Sequence, residues 1–182
     1  FNWIHNEQFT PALVGFLNLQ KVSDDQYFAD LADRISVTSQ RTLPRDAGIV
    51  WNVGPWSLLA RAQSYQTLQD PTQPVTPPYN RLPQLLATLN DADWLGVTWS
   101  GFTEYARFTQ AALAPTGDRL VVYPTAAFSR SGPSWFFTAR AGVHARQYDL
   151  DKTTAATPDN HPSAVVPITS LDAGLVFERD TE

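Results

Sequence analysis

Polar and apolar residues alternate along this chain in segments of about ten residues, and the clearest segment runs from Trp135 to Tyr148. Its odd positions are Trp135, Phe137, Ala139, Ala141, Val143 and Ala145; its even positions include Thr138, Arg140, His144 and Arg146. Side chains alternate across a strand, so one face of this segment is apolar and the other carries cations. The same pattern sets Leu120, Val122, Pro124, Ala126 and Phe128 against Arg119, Tyr123 and Thr125. It sets Leu171, Ala173, Leu175 and Phe177 against Asp172, Gly174 and Glu178, and Ala47, Ile49, Trp51 and Val53 against Asp46 and Asn52. Residues 12–22 and 57–69 alternate less cleanly.

These patterns predict the tail of one strand over residues 1–5 and eight more near 12–22, 41–54, 57–69, 79–90, 94–110, 118–131, 135–150 and 165–181. Tight turns are expected at Gly54–Trp56, Asn90–Asp93 and Ser131–Ser134, where turn-forming residues cluster. Longer connections rich in Pro, Thr, Asp and Asn fall at 23–40, 70–78, 111–117 and 151–164. Short and long connections therefore alternate, as extracellular loops and periplasmic turns do in outer-membrane barrels. The fold class that follows is all-β: an antiparallel up-and-down meander of eight to nine strands, one segment of a large transmembrane barrel and, by itself, an open curved sheet. Pro44, Pro83, Pro124 and Pro167 fall inside strands, where each removes a ladder donor, and predict bulges or breaks in pairing. One loop opens like a helix. Ser23 stands as N-cap with Gln26 completing a capping box, Val22 and Tyr27 form a hydrophobic staple, and Asp24 and Asp25 favour the positive end of the dipole.

Composition sharpens this picture. Charged residues make up 17% of the 182 positions, below the roughly 25% usual in soluble domains, while aromatics reach 12% with six Trp. Trp51, Trp56, Trp94 and Trp135 lie near the tight turns, and Tyr65, Tyr79 and Tyr148 near the long loops, as two interfacial girdles would require. The net charge of −5 argues against nucleic acid as a partner. No run of about 18 apolar residues marks a transmembrane helix. The chain reads as an internal piece of a longer protein, a single partial barrel domain over 1–182.

Candidate chemistry is sparse. Asp24, Asp25, Asp30 and Asp33 lack the ligand spacing of a calcium loop, and His5, His144 and His161 sit in no metal or nucleophile motif. Phosphate-loop and nucleophile-elbow signatures are missing. No catalytic residue, cofactor or metal is therefore expected. Arg119, Arg140, His144, Arg146, Asp172 and Glu178 read instead as a hydrated barrel interior.

Several stretches carry a resemblance. Lys21-Val-Ser-Asp-Asp-Gln-Tyr-Phe-Ala-Asp30, Tyr79-Asn-Arg-Leu-Pro-Gln-Leu85, Gly117-Asp-Arg119 with Tyr123-Pro124, and Val166-Pro-Ile-Thr-Ser-Leu-Asp-Ala-Gly-Leu-Val-Phe-Glu-Arg179 resemble, in order, segments of the C-terminal barrel of LptD, the outer-membrane lipopolysaccharide-assembly family. Leu31 departs from it, standing where many members carry an aromatic. The resemblance implies a barrel of about 26 strands in the outer membrane of a Gram-negative bacterium. It implies as partners an LptE-type lipoprotein plug, lipopolysaccharide, outer-membrane lipids and a periplasmic lipopolysaccharide bridge reached through an N-terminal domain. It implies transport rather than enzyme catalysis.

Two other readings fit parts of the pattern. A diffusion porin or uptake channel shares the strand rhythm. A soluble carbohydrate-binding module would use its Trp residues as stacking platforms, gathered on one face rather than at strand ends.

Overall fold

The computed structural model describes residues 1–25, 41–70, 74–111, 115–156 and 158–177. They form one sheet of nine antiparallel strands in strict chain order: β1 (Asn2–Thr10), β2 (Leu13–Gln20), β3 (Thr42–Val53), β4 (Trp56–Thr67), β5 (Asn80–Trp94), β6 (Val97–Thr109), β7 (Thr116–Gly132), β8 (Trp135–Lys152) and β9 (Ser163–Leu175). Each strand pairs only with its chain neighbours, and β1 and β9 remain apart, so the sheet is an open meander. All-β architecture and meander topology are as the alternation predicts.

The connections at Pro11–Ala12, Gly54–Pro55, Leu95–Gly96 and Pro133–Ser134 are two residues long and stand at one end of the sheet, the longer ones at the other. One expected turn is displaced. Asn90–Asp93 is not a turn but part of β5: Ala92, Asp93 and Trp94 continue the ladder opposite Trp99, Thr98 and Val97. The reversal falls instead at Leu95–Gly96, with φ of 54° and 75°, the pair of positive angles that a type I′ hairpin needs. Asn90 and Asp91 are spent on a bulge, where the register shifts between Leu89 and Ala92 and Asp91 takes φ 25°. Such residues suit bulges as well as turns, because the short side chain tolerates positive φ.

The strand prolines divide in two. Pro83 sits in the register shift between Arg81 and Gln84, and Pro124 faces a gap where Tyr123 and Pro124 make no pairs with β8. These are the predicted defects. Pro44 and Pro167 instead keep their register opposite Tyr65 and Val143. The β2 ladder stops at Arg45 and β9 ends the sheet, so each has one side on which no ladder partner calls for its missing N–H.

A single sheet has no interior, and the buried apolar side chains among the described residues are few: Val22, Leu43, Leu68, Ala106 and Val121. Three of them, Val22, Leu43 and Leu68, cluster at the long-loop end. There Gln66 clamps the backbone of Val22 with both amide atoms, at 3.3 and 3.2 Å, while Arg45 donates to the same Gln66 oxygen at 3.1 Å. The expected loop helix falls on residues outside those described, with Gln26; Ser23 is described, and its hydroxyl donates to Asp24 at 2.9 Å.

Candidate functional site

Register fixes which side chains share a face, since directly opposed residues project to the same side. One row runs Gly15, Ile49, Ala60, Leu85, Tyr105, Leu120, and the next Leu13, Trp51, Leu58, Ala87, Thr103, Val122, Ala145, Val165. This face is apolar and open: Ile49, Leu85 and Leu120 are nearly half exposed and Leu171 is 71% exposed. A soluble domain does not leave so broad an apolar surface uncovered. On β8 it extends from Trp135 to Ala145, and the same side then turns polar at Gln147 and Asp149. Above the band, Arg107 bridges Asp118 and Asp151 at 2.9 and 2.6 Å, and Tyr105 donates to Asp118 at 2.9 Å. Within the band β1 is an exception, placing His5 and Glu7, 3.4 Å apart, in the rows of Leu17 and Gly15.

The other face is polar and internally bonded. Arg61 makes a bidentate pair with Asp46, its Nε donating at 2.8 Å. Gln63 donates to the same carboxylate at 3.5 Å and accepts from Arg81 Nε at 2.9 Å. One strand further, Gln84 and Arg119 both donate to Glu104, each at 2.6 Å. Gln63 and Gln84 are buried at 6% and 5% exposure, and the ladder pairs most of its polar groups with one another, Gln84 Oε1 and Arg119 Nε excepted. Each bond is charge-assisted on at least one side or shared with a partner that is, which makes the ladder stronger than isolated amide contacts.

The polar residues singled out from sequence fall on this face. Arg119 stands opposite Tyr148, Arg146 opposite Val121 and Ala164, Arg140 opposite Ala127 and Ser170, and Asp172 opposite Thr138. His144 meets the ring of Tyr123 edge-on at 5.6 Å. Glu178 lies outside the described residues. Arg61 and Asp46 are legible as inward charges. Arg81, Gln63, Gln84 and Glu104 carry no local signal, because their roles come from register alone.

The aromatics separate by face. Trp51, Trp56, Trp94 and Trp135 project from the apolar side near the short turns and are 43–67% exposed. Tyr65, Tyr79 and Tyr148 do not join them on that side. Tyr65 lies opposite Pro44 and Tyr148 opposite Arg119, both in polar-face rows, and Tyr79 packs edge-on against Phe108, opposite Gly117 on that same face. Height along the strand was readable from the sequence for these tyrosines; shared parity with Arg146 also gives the side of Tyr148, whereas the shift between Arg81 and Gln84 hides that of Tyr79.

A family model described as LptD: LPS transport system D matches residues 1–182. The chain belongs to the LptD family. Relatives named LPS-assembly protein LptD share 41% identity over 98% of this chain in Azoarcus sp. (strain BH72), 42% over 97% in Aromatoleum aromaticum and 36% over 98% in Ralstonia nicotianae. In each case the match covers 22% of the relative's length, so the chain spans about a fifth of the LptD proteins it resembles. LptD membership agrees with a sheet that has two chemically distinct faces. Among the described residues no three His, Cys, Asp or Glu side chains gather as a metal site.

Proposed function

We propose that this chain is a stretch of the wall of an outer-membrane barrel that delivers lipopolysaccharide to the outer leaflet, its apolar face on lipid and its polar face on the lumen. The observation that carries this reading is the height of the apolar band. A strand tilted by about 40° gains about 2.6 Å of height per residue. Trp135 to Ala145 on β8 then spans about 26 Å, against the ~25 Å apolar band of outer-membrane barrels. Val97 to Tyr105 on β6 and Leu120 to Phe128 on β7 each span about 21 Å by the same measure. Trp51, Trp56, Trp94 and Trp135 mark one interface of that band, and the Arg107–Asp118–Asp151 cluster lies beyond the other.

In physical terms, moving an amphipathic lipid through a bilayer requires separated environments, and the strand alternation supplies them. The chain acts by holding surfaces in place, and no bond is made or broken on it. The polar ladder keeps the lumenal side polar and stiff. Arg140, His144 and Arg146, with Asp172, offer it polar contacts for an LptE-type lipoprotein plug or for the anionic head of lipopolysaccharide. The periplasmic bridge would feed lipid through another domain of the parent.

The test is to purify the full-length parent from outer membranes. A lipoprotein of LptE type that co-purifies in one-to-one ratio and survives mild SDS without heating supports the reading. Loss of surface lipopolysaccharide on depletion supports it further. An empty, heat-modifiable barrel whose depletion leaves lipopolysaccharide unchanged would move the function to a porin or uptake channel.

A further inference from the structure

We infer that a pocket on the polar face, at the long-loop end between β6, β7 and β8, binds a single neutral pyranose residue. Its walls are Tyr79, Phe108, Thr116, Arg119, Tyr148 and Leu150, and its volume is about 240 Å³. That is room for about eight waters at ~30 Å³ each, below the ~300 Å³ at which drug-sized ligands are housed and suited to one sugar ring.

The chemistry of the walls selects the ligand. Phe108 is already engaged on its face by Arg119, 4.8 Å from the ring centroid, and stands perpendicular to Tyr79, with the centroids 6.3 Å apart and the planes at 81°. The aromatic surface left for a guest is therefore that of Tyr79 and Tyr148. Ring faces carry negative charge density, and the slightly positive axial C–H groups of a pyranose lie well against them. One polar group stands beside that surface: the Tyr148 hydroxyl, which has no hydrogen-bond partner among the described residues. The charge of Arg119 is matched by Glu104 at 2.6 Å. Asp118, on the opposite face, is taken by Arg107 and Tyr105. The pocket therefore has no spare charge for a phosphate, which favours a hydroxylated neutral ring. Gly117 shapes the floor. Its φ is 150°, and a Cβ there would stand 2.1 Å from the Asp149 carbonyl oxygen, so β7 and β8 approach as closely as backbone allows.

This assignment deepens the proposed function, on which it rests for the source of its ligand: a sugar unit of a glycolipid passing the rim. The test uses the full-length parent in phospholipid nanodiscs, with any lipoprotein partner retained. The probes are methyl glucopyranoside and methyl mannopyranoside, with sorbitol as open-chain control, read by saturation-transfer NMR. Saturation is expected on the ring protons of both glycosides and not on sorbitol. Tyr148→Ala should weaken binding roughly fivefold to tenfold, the range for one lost aromatic contact, while Tyr148→Phe, which keeps the ring and removes only the hydroxyl, should weaken it by a smaller factor. Leu150→Trp, which fills the pocket, should abolish it in protein that still migrates as a folded barrel without heating. Glycoside signals no stronger than sorbitol, or signals undiminished in Leu150→Trp, would overturn the inference. If the glycosides bind and Leu150→Trp removes them while depletion leaves lipopolysaccharide unchanged, the pocket stands and the proposed function falls. If lipopolysaccharide export holds and no glycoside binds, this inference alone falls.

Discussion

An arginine placed on β8 should report the depth of the membrane at each position. Ala139 projects from the apolar face, opposite Phe128 and Leu171. It stands four residues above Trp135, about 10 Å of height at ~2.6 Å per residue, close to the middle of a ~25 Å band. Gln147 is on the same side but twelve residues above Trp135, about 31 Å by the same measure and beyond the band. Ala139→Arg should therefore cost about 2–4 kcal/mol, whereas Gln147→Arg should cost no more than about 1 kcal/mol. Thr138→Arg, one residue away on the polar face, separates depth from mere loss of strand propensity and should also stay below about 1 kcal/mol. The assay refolds the full-length parent into phospholipid vesicles and follows the folded fraction by unheated gel migration against guanidinium concentration. Equal losses at positions 139 and 147, or a larger loss at 138 than at 139, would refute the assignment of faces.

Three further outcomes follow from the same geometry. Asp46→Ala and Arg61→Met should each cost about 1.5–3 kcal/mol, since each strands a bidentate charge partner that is mostly buried. Their double variant should cost clearly less than the sum in a mutant cycle; strict additivity would show that the pair behaves as an exposed one. Gly101→Ala should destabilise by at least about 1–3 kcal/mol, because Gly101 has φ 145° and a Cβ there would lie 2.1 Å from the Tyr123 carbonyl oxygen; unchanged guanidinium midpoints would count against this backbone geometry. Glu7→Leu, which removes a carboxylate from the apolar band on β1, should raise stability in vesicles and not in aqueous detergent-free buffer; a loss in vesicles would show that Glu7 has a partner in the parent.

Much of this architecture is legible in the residues because period-two alternation survives any error of a residue or two at strand ends. β8 is the plainest case, with its apolar row from Trp135 to Ala145 set against Arg140, His144 and Arg146. Turn chemistry was a weaker guide: Asn90–Asp93 has the composition of a reversal yet stays in the ladder, because Leu95–Gly96 supplies the two positive φ values. The polar ladder was not legible as such. Asp46 with Arg61, and Gln84 with Glu104 and Arg119, are 15 to 35 positions apart in the chain. Asp46 with Arg61 and Glu104 with Arg119 meet across unbroken β3–β4 and β6–β7 ladders, whereas Gln63 meets Arg81 across the shift between Arg61 and Gln63. Tyr79 illustrates the other limit: position along a strand follows from turn spacing, but side follows from parity, which the shift between Arg81 and Gln84 reverses.

The gap in the ladder beside Pro124 has a mechanical meaning. Tyr123 and Pro124 forgo their pairs with β8, Gly101 lies directly opposite Pro124 on β6, and Gly142 lies just across on β8, where a Cβ would be 3.1 Å from the Pro124 carbonyl oxygen. Missing cross-links and missing side chains thus line up at one level across three adjacent strands. Along this line the sheet is compliant, as it is at the register shifts beside Pro83 and Asn90. A curved sheet concentrates its flexure at such a crease, so a change in curvature would be taken up here before it strained the unbroken β3–β4 ladder that holds Asp46 against Arg61.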